Sequence, residues 1–523
     1  MAIGTYEEYK ERLLKMKPNV YIDGKKVDRS GDWIDGGCYV MKQTYDYEND
    51  PEYEDLCTAT SHLTGKKISR WTHIHRTQDD LFKKQLMTRV MCHRVGGCTQ
   101  RCMGTDALNA LAVVTYDVDA ACGTKYHERF NKYLEYSQEN DLVANCAQTD
   151  VKGSRNPKYK RAHMQPDPDQ FVRIVKTDVD GIGVDGKPCK GVIVRGAKIC
   201  NSNAPYVDEI IVTPTKFMGR GDEAYAVAFA IPGDWDGVKL MALPGKHHKR
   251  KHIEAPFANV GDVESLTIFD DTFIPEDRLF MNGFEHPDVL QYAGYLALMF
   301  AHFHRHSYTG CKAAVSEVFA AQAALVADVN DIAKEHHVRE KICDIITTAE
   351  LVFAAGQAAA LRAIEFPNGS WVPDEILTNA GRKLAGEKIY HEYETLADLT
   401  GGVAASLPTE ESFYAPETCD LCNKYLVRNP EYSAEDTHRV MRMMENKLCD
   451  AFEGAMAVAG VHGGGSPLME TITMMSRYDL EPLKEMAKFL AGVPGAKMPR
   501  YERATATPRA MLERFRKTEV NKK

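Results

Sequence analysis

The chain has 523 residues, of which 44% are hydrophobic and 27% charged, values typical of a soluble globular protein of about three domains. The formal net charge of −9 argues against a dedicated nucleic-acid-binding protein, which would need a basic face. No uninterrupted apolar stretch approaches the roughly 20 residues that span a bilayer, and the charged N-terminus lacks the apolar core of a signal peptide. We therefore expect a cytoplasmic protein that binds neither nucleic acid nor membrane.

The predicted elements fall into blocks along the chain. Residues 1–145 contain amphipathic stretches at helical spacing and predict an N-terminal helical domain. Residues 146–284 contain short runs rich in β-branched and aromatic residues, separated by turn dipeptides, and predict a middle β domain. Helical periodicity returns over residues 285–492, and the basic residues 493–523 are interpreted as a tail or an arm around another subunit. This order predicts an α+β fold that ends in a C-terminal helical bundle.

The fourteen cysteines are the first informative feature of the composition. A secreted disulfide framework would be short and dense in cysteine, and this chain is neither. Most of the thiols should be buried and inert. Three or four of them would be enough to ligate a soft metal.

Two short spacings are candidates for such a site. Cys98 and Cys102 lie four residues apart, and His304 and Cys311 lie seven apart. With this composition each spacing arises by chance roughly 0.4 to 0.5 times, so neither spacing alone is evidence. A further pair in the segment 419–422, Cys419 and Cys422, has no apparent partner pair and is interpreted as structural.

A helix that carries His304 and Cys311 would present a chemically active face. Seven residues turn about 700°, so the two side chains share a face, with Tyr308 nearly on it and Lys312 beside Cys311. A core helix whose histidine bonds to a neighbour is the more frequent explanation of such a pattern. Three thiolates and one imidazole can also hold structural zinc or an iron–sulfur cluster, and ligands from two distant helical segments suit a large preformed cavity better than a small zinc module.

Three stretches resemble proteins with the acyl-CoA dehydrogenase fold. Gln148–Arg155 resembles the Thr-Asp/Glu…Gly-Ser loop with which those proteins hold their flavin. Thr267–Pro275 resembles the last strand of the same β domain. Thr400–Gly402 resembles the Gly-Gly turn that reaches a flavin bound by a neighbouring subunit.

Within that superfamily, the two Cys/His spacings and their surroundings resemble the 4-hydroxybutyryl-CoA dehydratase family. The segments Gln100–Cys102, His304–Lys312 and His462–Pro467 agree with it in the same order. Members of that family carry FAD and a [4Fe–4S] cluster held by three cysteines and one histidine. The resemblance implies that the cluster ligands here are Cys98, Cys102, His304 and Cys311.

The resemblance also implies a reaction, the reversible loss of water from 4-hydroxybutyryl-CoA to give crotonyl-CoA, with possible isomerisation of vinylacetyl-CoA, in a homotetramer. The thioester does not acidify the hydrogen at C3, so no side chain of ordinary pKa removes it as a proton. Loss of the C2 proton and of one electron to the flavin would acidify C3. A histidine ligand makes one iron distinct from three held by thiolate, and that iron can act as a Lewis acid on the C4 hydroxyl.

The resemblance assigns roles to individual residues. The candidate catalytic residues are His304, Tyr308 as donor to the leaving oxygen, Glu264 as proton carrier and Lys312 as a local charge. His304 either leaves the iron when the substrate hydroxyl binds and then serves as base, or stays while the iron expands its coordination. Arg89 is a further candidate for orienting the thioester. The candidate flavin-binding residues are Gln148, Thr149, Asp150, Lys152, Gly153, Ser154, Arg155, Cys200, Asn201, Ser202, Asn203, Gly401 and Gly402.

One position departs from the family pattern. Some members have a glutamate three residues before the His-Gly segment, where this chain has Ala459. Glu453 lies six residues earlier and therefore about 120° away on a helix, so it cannot take the same place. If that glutamate carries a proton elsewhere, this chain must use Glu264, His304 or the flavin, which weakens the prediction of isomerase activity most.

Two other functions remain open. A flavin-dependent aromatic monooxygenase component of the 4-hydroxyphenylacetate hydroxylase type shares the fold, uses free reduced flavin and oxygen, and needs no cluster. A non-catalytic acyl-CoA-binding protein with structural zinc is the alternative from another class. Iron and acid-labile sulfide would distinguish the dehydratase from both.

Overall fold

The computed structural model describes residues 3–151 and 153–520, so Lys152 lies outside the described residues. The α-helices are α1 Tyr6–Lys15, α2 Asp35–Glu48, α3 Glu54–Cys57, α4 Gln78–Val95, α5 Cys102–Cys122, α6 Tyr126–Glu139, α7 Leu290–Val329, α8 His336–Leu361, α9 Glu375–Thr400, α10 Val403–Ser406, α11 Cys419–Leu426, α12 Ala434–Cys449, α13 Ala451–His462, α14 Pro467–Arg477, α15 Glu481–Leu490 and α16 Arg509–Val520. The β-strands are β1 Val20–Ile22, β2 Lys25–Val27, β3 Thr58–Thr60, β4 Lys67–Ser69, β5 Ala144–Ala147, β6 Arg173–Ile182, β7 Pro188–Lys198, β8 Glu209–Val212, β9 Val227–Pro232, β10 Val238–Lys246, β11 Gly261–Pro275, β12 Leu279–Asn282, β13 Ile364–Glu365 and β14 Trp371–Val372.

Two large sheets form most of the β part of the described chain, and β3-β4 and β13-β14 form two further two-stranded sheets. The larger has the strand order β2-β1-β10-β11-β7-β6 and the smaller the order β12-β9-β8-β5. Apolar side chains from both, among them Leu240, Phe269, Ile210 and Phe229, pack into one buried cluster. The alternation of buried and solvent-facing residues along β10 and β11 is the pattern of an antiparallel sheet with one face on the core.

The N-terminal third is not purely helical. β1 pairs in parallel with β10, with Val20 opposite Leu240, and so extends the larger sheet. Three-residue strands carry too little periodicity to be recognised in a sequence, and their pairing partner lies about 220 residues away. The α+β prediction itself is confirmed, since helices flank the two sheets on both sides in sequence.

Helix α7 is the centre of the helical part. It runs for 40 residues and packs against α4, α5, α8 and α9, so it is buried on most of its circumference. Helices α7 and α8 are long and apolar enough to cross a bilayer by length and composition, and 67% of the most apolar window of α7 is buried inside the protein. That burial is expected of the core helix of a globular protein.

A tight turn connects α4 to α5. Helix α4 begins with a capping box between Thr77 and Asp80 and ends at Gly96, whose φ of 66° is left-handed. A Cβ at Gly96 would lie 2.9 Å from the ring of Phe257, so glycine is needed there for space as well as for conformation. Cys98 lies in this turn and Cys102 is the first residue of α5.

The C-terminal segment packs on its own chain. Arg503 makes two bonds to the carboxylate of Asp374, at 2.8 and 3.0 Å. Arg509 donates to Asp117 of α5 at 2.7 Å, and Leu512 of α16 is buried in the main apolar cluster. Two arginines of the segment, Arg503 and Arg509, therefore bind carboxylates of the same subunit, while the prediction of an arm around another subunit stays a prediction.

Candidate active site

The structure brings the four predicted metal ligands together. Cys102, His304 and Cys311 are buried and Cys98 is half-buried. The thiols of Cys98 and Cys311 are hydrogen-bonded to each other. Ligand atoms of Cys102 and His304 lie within 4.8 Å of one another, together with a carboxylate oxygen of Asp106. The turn before α5, the start of α5 and one face of α7 thus contribute two neighbouring donor pairs, Cys98 with Cys311 and Cys102 with His304, and the thiol of Cys102 interacts electrostatically with the other two thiols.

Asp106 orients the imidazole of His304 and is absent from the sequence prediction. Its Oδ2 accepts from His304 Nδ1 at 2.9 Å, and its carboxylate also accepts from Ser307 Oγ and pairs with Lys84 Nζ at 2.8 Å. Burial alone would raise the pKa of Asp106, but the Lys84 ammonium and the bond to His304 outweigh it and lower that pKa. An ionised Asp106 requires the proton on Nδ1, which leaves the Nε2 lone pair of His304 for a metal.

Asp106→Asn is expected to weaken metal retention and turnover roughly 10- to 100-fold, because the amide no longer fixes the tautomer of His304. Iron remaining after a timed challenge with a chelator and kcat under anaerobic conditions measure the two effects. Asp117→Asn, on the same helix but paired with Arg509, is the matched control. Unchanged iron retention and kcat in Asp106→Asn would show that the carboxylate has no orienting role.

Cys92 is a fifth possible donor. It lies in the last turn of α4, is fully buried, and its thiol is hydrogen-bonded to that of Cys311. Burial raises the pKa of Cys92, and the bond to Cys311 together with burial raises that of Cys98. The thiols are therefore protonated without a metal, and a soft metal would have to displace those protons. The spacing of six residues to Cys98 gave no signal in the sequence.

A glycine-rich segment covers the site from the C-terminal side. Tyr308 stands edge-on to His304 with ring centroids 5.5 Å apart, and its hydroxyl donates to the carbonyl of Ala459 at 3.1 Å. Arg382 lies 4.3 Å from the centre of the Tyr308 ring and donates to the carbonyls of Val461, Gly463 and Gly465. Burial raises the pKa of Tyr308. The Tyr308 hydroxyl thus bonds to the backbone of Ala459, the position at which some family members have a glutamate.

Two predicted basic residues are engaged elsewhere. Lys312 Nζ donates to the buried carboxylate of Glu392 at 2.9 Å, and Ser316 donates to the same carboxylate. The charge of Lys312 is therefore neutralised inside the helical bundle. Arg89 pairs with Glu317 and lies over the ring of Phe353 between α4, α7 and α8. That position does not support the suggestion that Arg89 orients a thioester.

The half-buried Glu264 and the buried Asp262 form a pair of carboxyls on β11. Ser202 donates to Oε1 of Glu264, while Oε2 of Glu264 has no hydrogen-bond partner among the described residues. Asp262, two residues earlier, accepts from Tyr206 at 2.8 Å. Burial, followed by the charge of Glu264, raises the pKa of Asp262 to about 7, and burial raises that of Glu264. The pair can hold and release a proton near neutral pH.

Asn203 connects this pair to the metal-binding turn. Its side-chain amide donates to the carbonyl of Gln100 at 3.0 Å, and the hydroxyl of Tyr206 also bonds to Gln100. Gln100 has a φ of 61° and lies two residues before Cys102. The carboxyls of β11 and the thiol group therefore lie on the same side of the turn that contains Gln100, and we call this side the inner wall of the site.

Asp262→Asn is expected to raise the apparent Tm by about 2–4 °C at pH 8 and by less at pH 5. The folded-state pKa of about 7 lies above the unfolded value of about 3.9, so the folded protein binds more protons between these values. The contribution of Asp262 to the free energy of unfolding is therefore complete below the pKa of Asp262 in the unfolded chain. It is lost as the pH rises through the pKa of Asp262 in the folded protein. Thermal scans from pH 5 to 8 measure this, with the exposed Asp236→Asn as control. A Tm difference independent of pH would contradict the assignment.

The predicted flavin-binding residues lie in two segments, 148–155 and 200–203, and the first contacts α7. The side chain of Gln148 donates to the carbonyl of Ala297 at 2.9 Å, and Lys198 pairs with Asp150 at 2.8 Å. The remaining described members lie as follows: the Thr149 carbonyl accepts from Ile199, Gly153 has a φ of 53°, the Ser154 amide donates to Gln165, Arg155 is exposed, Cys200 has a φ of 55°, Asn201 donates to Thr267, Ser202 to Glu264 and Asn203 to Gln100.

Several polar atoms at the inner wall of the site have no hydrogen-bond partner among the described residues. They are Thr99 Oγ1, Asn203 Oδ1, Asn145 Oδ1 and Glu264 Oε2, all buried. Buried polar groups are nearly always hydrogen-bonded, so these atoms fit a bound polar group such as a flavin or an acyl thioester. Gly401 and Gly402 end α9 with φ values of 63° and 80° and are exposed in the single chain, as a turn directed at another subunit would be.

Comparison with known proteins identifies the family. A family model described as "4-hydroxyphenylacetate 3-hydroxylase N terminal" matches residues 5–281, and its C-terminal counterpart matches residues 293–492. The chain therefore belongs to the 4-hydroxyphenylacetate 3-hydroxylase family, which has the acyl-CoA dehydrogenase-like fold.

Within this family the chain is most informatively compared with two kinds of relative. It is 34% identical over 509 residues to 4-hydroxybutyryl-CoA dehydratase/vinylacetyl-CoA-Δ-isomerase of Clostridium aminobutyricum, covering 94% of this chain and 99% of the relative. It is 27% identical to the 4-hydroxyphenylacetate 3-monooxygenase oxygenase component of Thermus thermophilus, covering 92% and 96%.

Solved structures give the same two kinds of relative. An oxygen-tolerant archaeal 4-hydroxybutyryl-CoA dehydratase from N. maritimus superimposes with a TM-score of 0.86 at 30% identity, covering 97% of this chain and 98% of that one. The oxygenase component of 4-hydroxyphenylacetate 3-monooxygenase complexed with FAD superimposes with a TM-score of 0.81 at 25% identity, covering 93% and 98%. The predicted family resemblance is confirmed.

Proposed function

We propose that this enzyme catalyses the reversible dehydration of 4-hydroxybutyryl-CoA to crotonyl-CoA with FAD and a [4Fe–4S] cluster. The observation that carries the proposal is the presence of two neighbouring donor pairs, the hydrogen-bonded thiols of Cys98 and Cys311 and the thiol of Cys102 beside the Asp106-oriented imidazole of His304. A flavin-dependent monooxygenase has no use for such a donor set. The 34% identity to a dehydratase over nearly the whole chain supports the same reaction.

We assign the cluster ligands as Cys98, Cys102, His304 and Cys311. His304 offers Nε2 because Asp106 binds Nδ1, whereas Cys92 lies behind Cys311, in contact with that thiol. When bound, the cluster supplies a Lewis-acidic iron and the flavin a one-electron acceptor.

The residues of the chain supply binding, orientation and proton transfer. Glu264, whose Oε2 has no partner among the described residues and whose pKa is raised, takes the proton from C2 of the substrate. The charge of Glu264 in turn raises the pKa of the neighbouring Asp262. Tyr308, edge-on to His304, donates to the leaving oxygen once its bond to Ala459 is released. The glycine-rich segment held by Arg382 keeps water from the site.

The flavin lies along the residues of the loop 148–155 and the turn 200–203, and the exposed Gly401–Gly402 turn reaches the flavin of a neighbouring copy in a homotetramer. Isomerisation of vinylacetyl-CoA needs the same C2 proton transfer and therefore depends on Glu264. We place the enzyme in the cytoplasm, where its thiols stay reduced.

Conversion of 4-hydroxybutyryl-CoA to crotonyl-CoA by anaerobically purified protein tests the proposal. We expect product without oxygen consumption and without added reductant, because the reaction is redox-neutral overall. The control reaction contains 4-hydroxyphenylacetate, reduced flavin and oxygen. Hydroxylation of the phenol together with no crotonyl-CoA would contradict the dehydratase and support the monooxygenase.

A further inference from the structure

A strongly basic loop lies between β10 and β11. Residues 246–252 read Lys-His-His-Lys-Arg-Lys-His, which makes every residue of this segment a basic one, in a chain of net charge −9. We call this segment the basic loop. A local concentration of positive charge on an acidic protein raises the local concentration of anions and requires an explanation.

Carboxylates from the C-terminal helical part fix the backbone of the basic loop. His247 Nδ1 bonds to Asp450 at 2.9 Å, and Arg250 pairs with Glu445 at 2.8 Å. The carboxylate of Glu410 accepts from three successive backbone amides, those of Lys251, His252 and Ile253, at 2.7, 3.0 and 2.6 Å. The loop is therefore held rigidly, and these contacts leave other basic side chains unused.

The unused side chains are Lys249 and Lys251. Both are exposed, and neither forms an ion pair within the part of the chain that the structure describes. Next to them the ring of His252 stacks on that of Tyr414, with centroids 4.4 Å apart and an interplanar angle of 25°. Two free ammonium groups beside a flat aromatic stack match a phosphorylated adenosine, which presents anionic phosphates and a base that stacks.

The basic loop is continuous with the proposed active site. Phe257 follows it, packs on the ring of His247 with centroids 4.5 Å apart and lies against Gly96. Gly96 ends α4 two residues before Cys98. A CoA thioester carries its phosphates at the far end of a flexible pantetheine arm, so a phosphate site must lie outside the reaction site but lead into it. The contacts of Phe257 place the basic loop beside the metal-binding turn but outside the thiol group, as such a phosphate site requires.

We infer that Lys249 and Lys251 of the basic loop bind the phosphates of the 3′-phospho-ADP part of the acyl-CoA substrate, with the His252–Tyr414 stack beside the adenine. This inference rests on the proposed function, since it presumes a CoA thioester at the thiol site. FAD also contains a pyrophosphate and an adenine but lacks the 3′-phosphate, so binding of CoA at this loop can be distinguished from binding of FAD.

The test uses the double variant Lys249→Gln/Lys251→Gln of the anaerobic holoenzyme with crotonyl-CoA and with crotonyl-pantetheine, which lacks the phosphates. We expect the KM for crotonyl-CoA to rise at least tenfold with kcat unchanged within twofold, and the KM for crotonyl-pantetheine to stay the same. Lys125→Gln/Lys334→Gln removes two exposed lysines elsewhere and is the matched control. An unchanged KM for crotonyl-CoA, or loss of bound FAD with unchanged KM, would overturn the inference.

A binding measurement separates this inference from the proposed function. Titration of the holoenzyme with free CoA and with dephospho-CoA is expected to show tighter binding of CoA, at least tenfold weaker binding in the double variant, and weaker binding at high salt. If that pattern appears while the wild-type protein fails to dehydrate 4-hydroxybutyryl-CoA, the phosphate site stands and the proposed reaction is wrong. Equal binding of CoA by wild type and variant overturns the phosphate site whatever the reaction.

Discussion

Cys311→Ser is expected to lower the iron content from about four per chain to below one and to abolish dehydration. Cys311 occupies the centre of the thiol group, since its sulfur is hydrogen-bonded to both Cys98 and Cys92. A serine hydroxyl is a poor ligand for iron in a cluster. Iron and acid-labile sulfide assays on anaerobically purified protein measure the loss.

Cys343→Ser is the control for this variant, because Cys343 is an exposed thiol on α8 outside the site. It should keep wild-type iron and activity. The double variant Cys92→Ser/Cys311→Ser tests whether Cys92 partly replaces the missing ligand, in which case the single variant would keep more iron than the double. Full activity in Cys311→Ser would contradict a role of Cys311 and its neighbouring thiols in the reaction.

His304→Cys is expected to keep at least half of the iron but to lower kcat by about 1,000-fold or more. A thiolate at this position could still hold iron, so a cluster would assemble, but it lacks the imidazole that Asp106 orients and would make the fourth ligand the same as the other three. Asp106 would lose its imidazole partner and keep Lys84 and Ser307. Iron content and kcat of the same preparation separate ligation from catalysis.

His302→Gln is the matched control on the same helix. His302 is buried and bonds to the Pro373 carbonyl at 2.9 Å, on a different face from His304. It should change stability more than it changes kcat per iron. If His304→Cys turned over at the wild-type rate, a role for the imidazole beyond ligation would be excluded.

Periodicity and turn dipeptides were sufficient to predict the α+β order, because β6 to β11 alternate clearly and α7 to α9 are long. The pairing of β1 with β10 was not predictable, since three residues carry no pattern and the contact spans about 220 positions. The basic C-terminal segment is interpreted from the sequence as a tail or an arm around another subunit, and its ion pairs from Arg503 to Asp374 and from Arg509 to Asp117 of the same chain were not predicted. Such long-range ion pairs leave no local signal.

The site was only partly predictable for a similar reason. His304 and Cys311 share a face of α7 as the helical spacing requires, but the same helix is buried almost all round, so spacing alone could not separate ligands from core residues. Asp106 stands four residues after Cys102 on α5, a spacing that could have identified it once Cys102 was taken as a ligand. Cys92 could not have been found, because the contact with Cys311 depends on how α4 packs on α7.

Mössbauer spectroscopy of ⁵⁷Fe-labelled wild-type protein, purified without oxygen, tests the central claim most directly. Ligation by Cys98, Cys102, Cys311 and the Nε2 atom of His304 predicts a [4Fe–4S] signal in which one iron differs from the other three, with that difference absent in His304→Cys. Four equivalent irons in the wild-type protein, or a preparation that contains zinc or no metal, would contradict it.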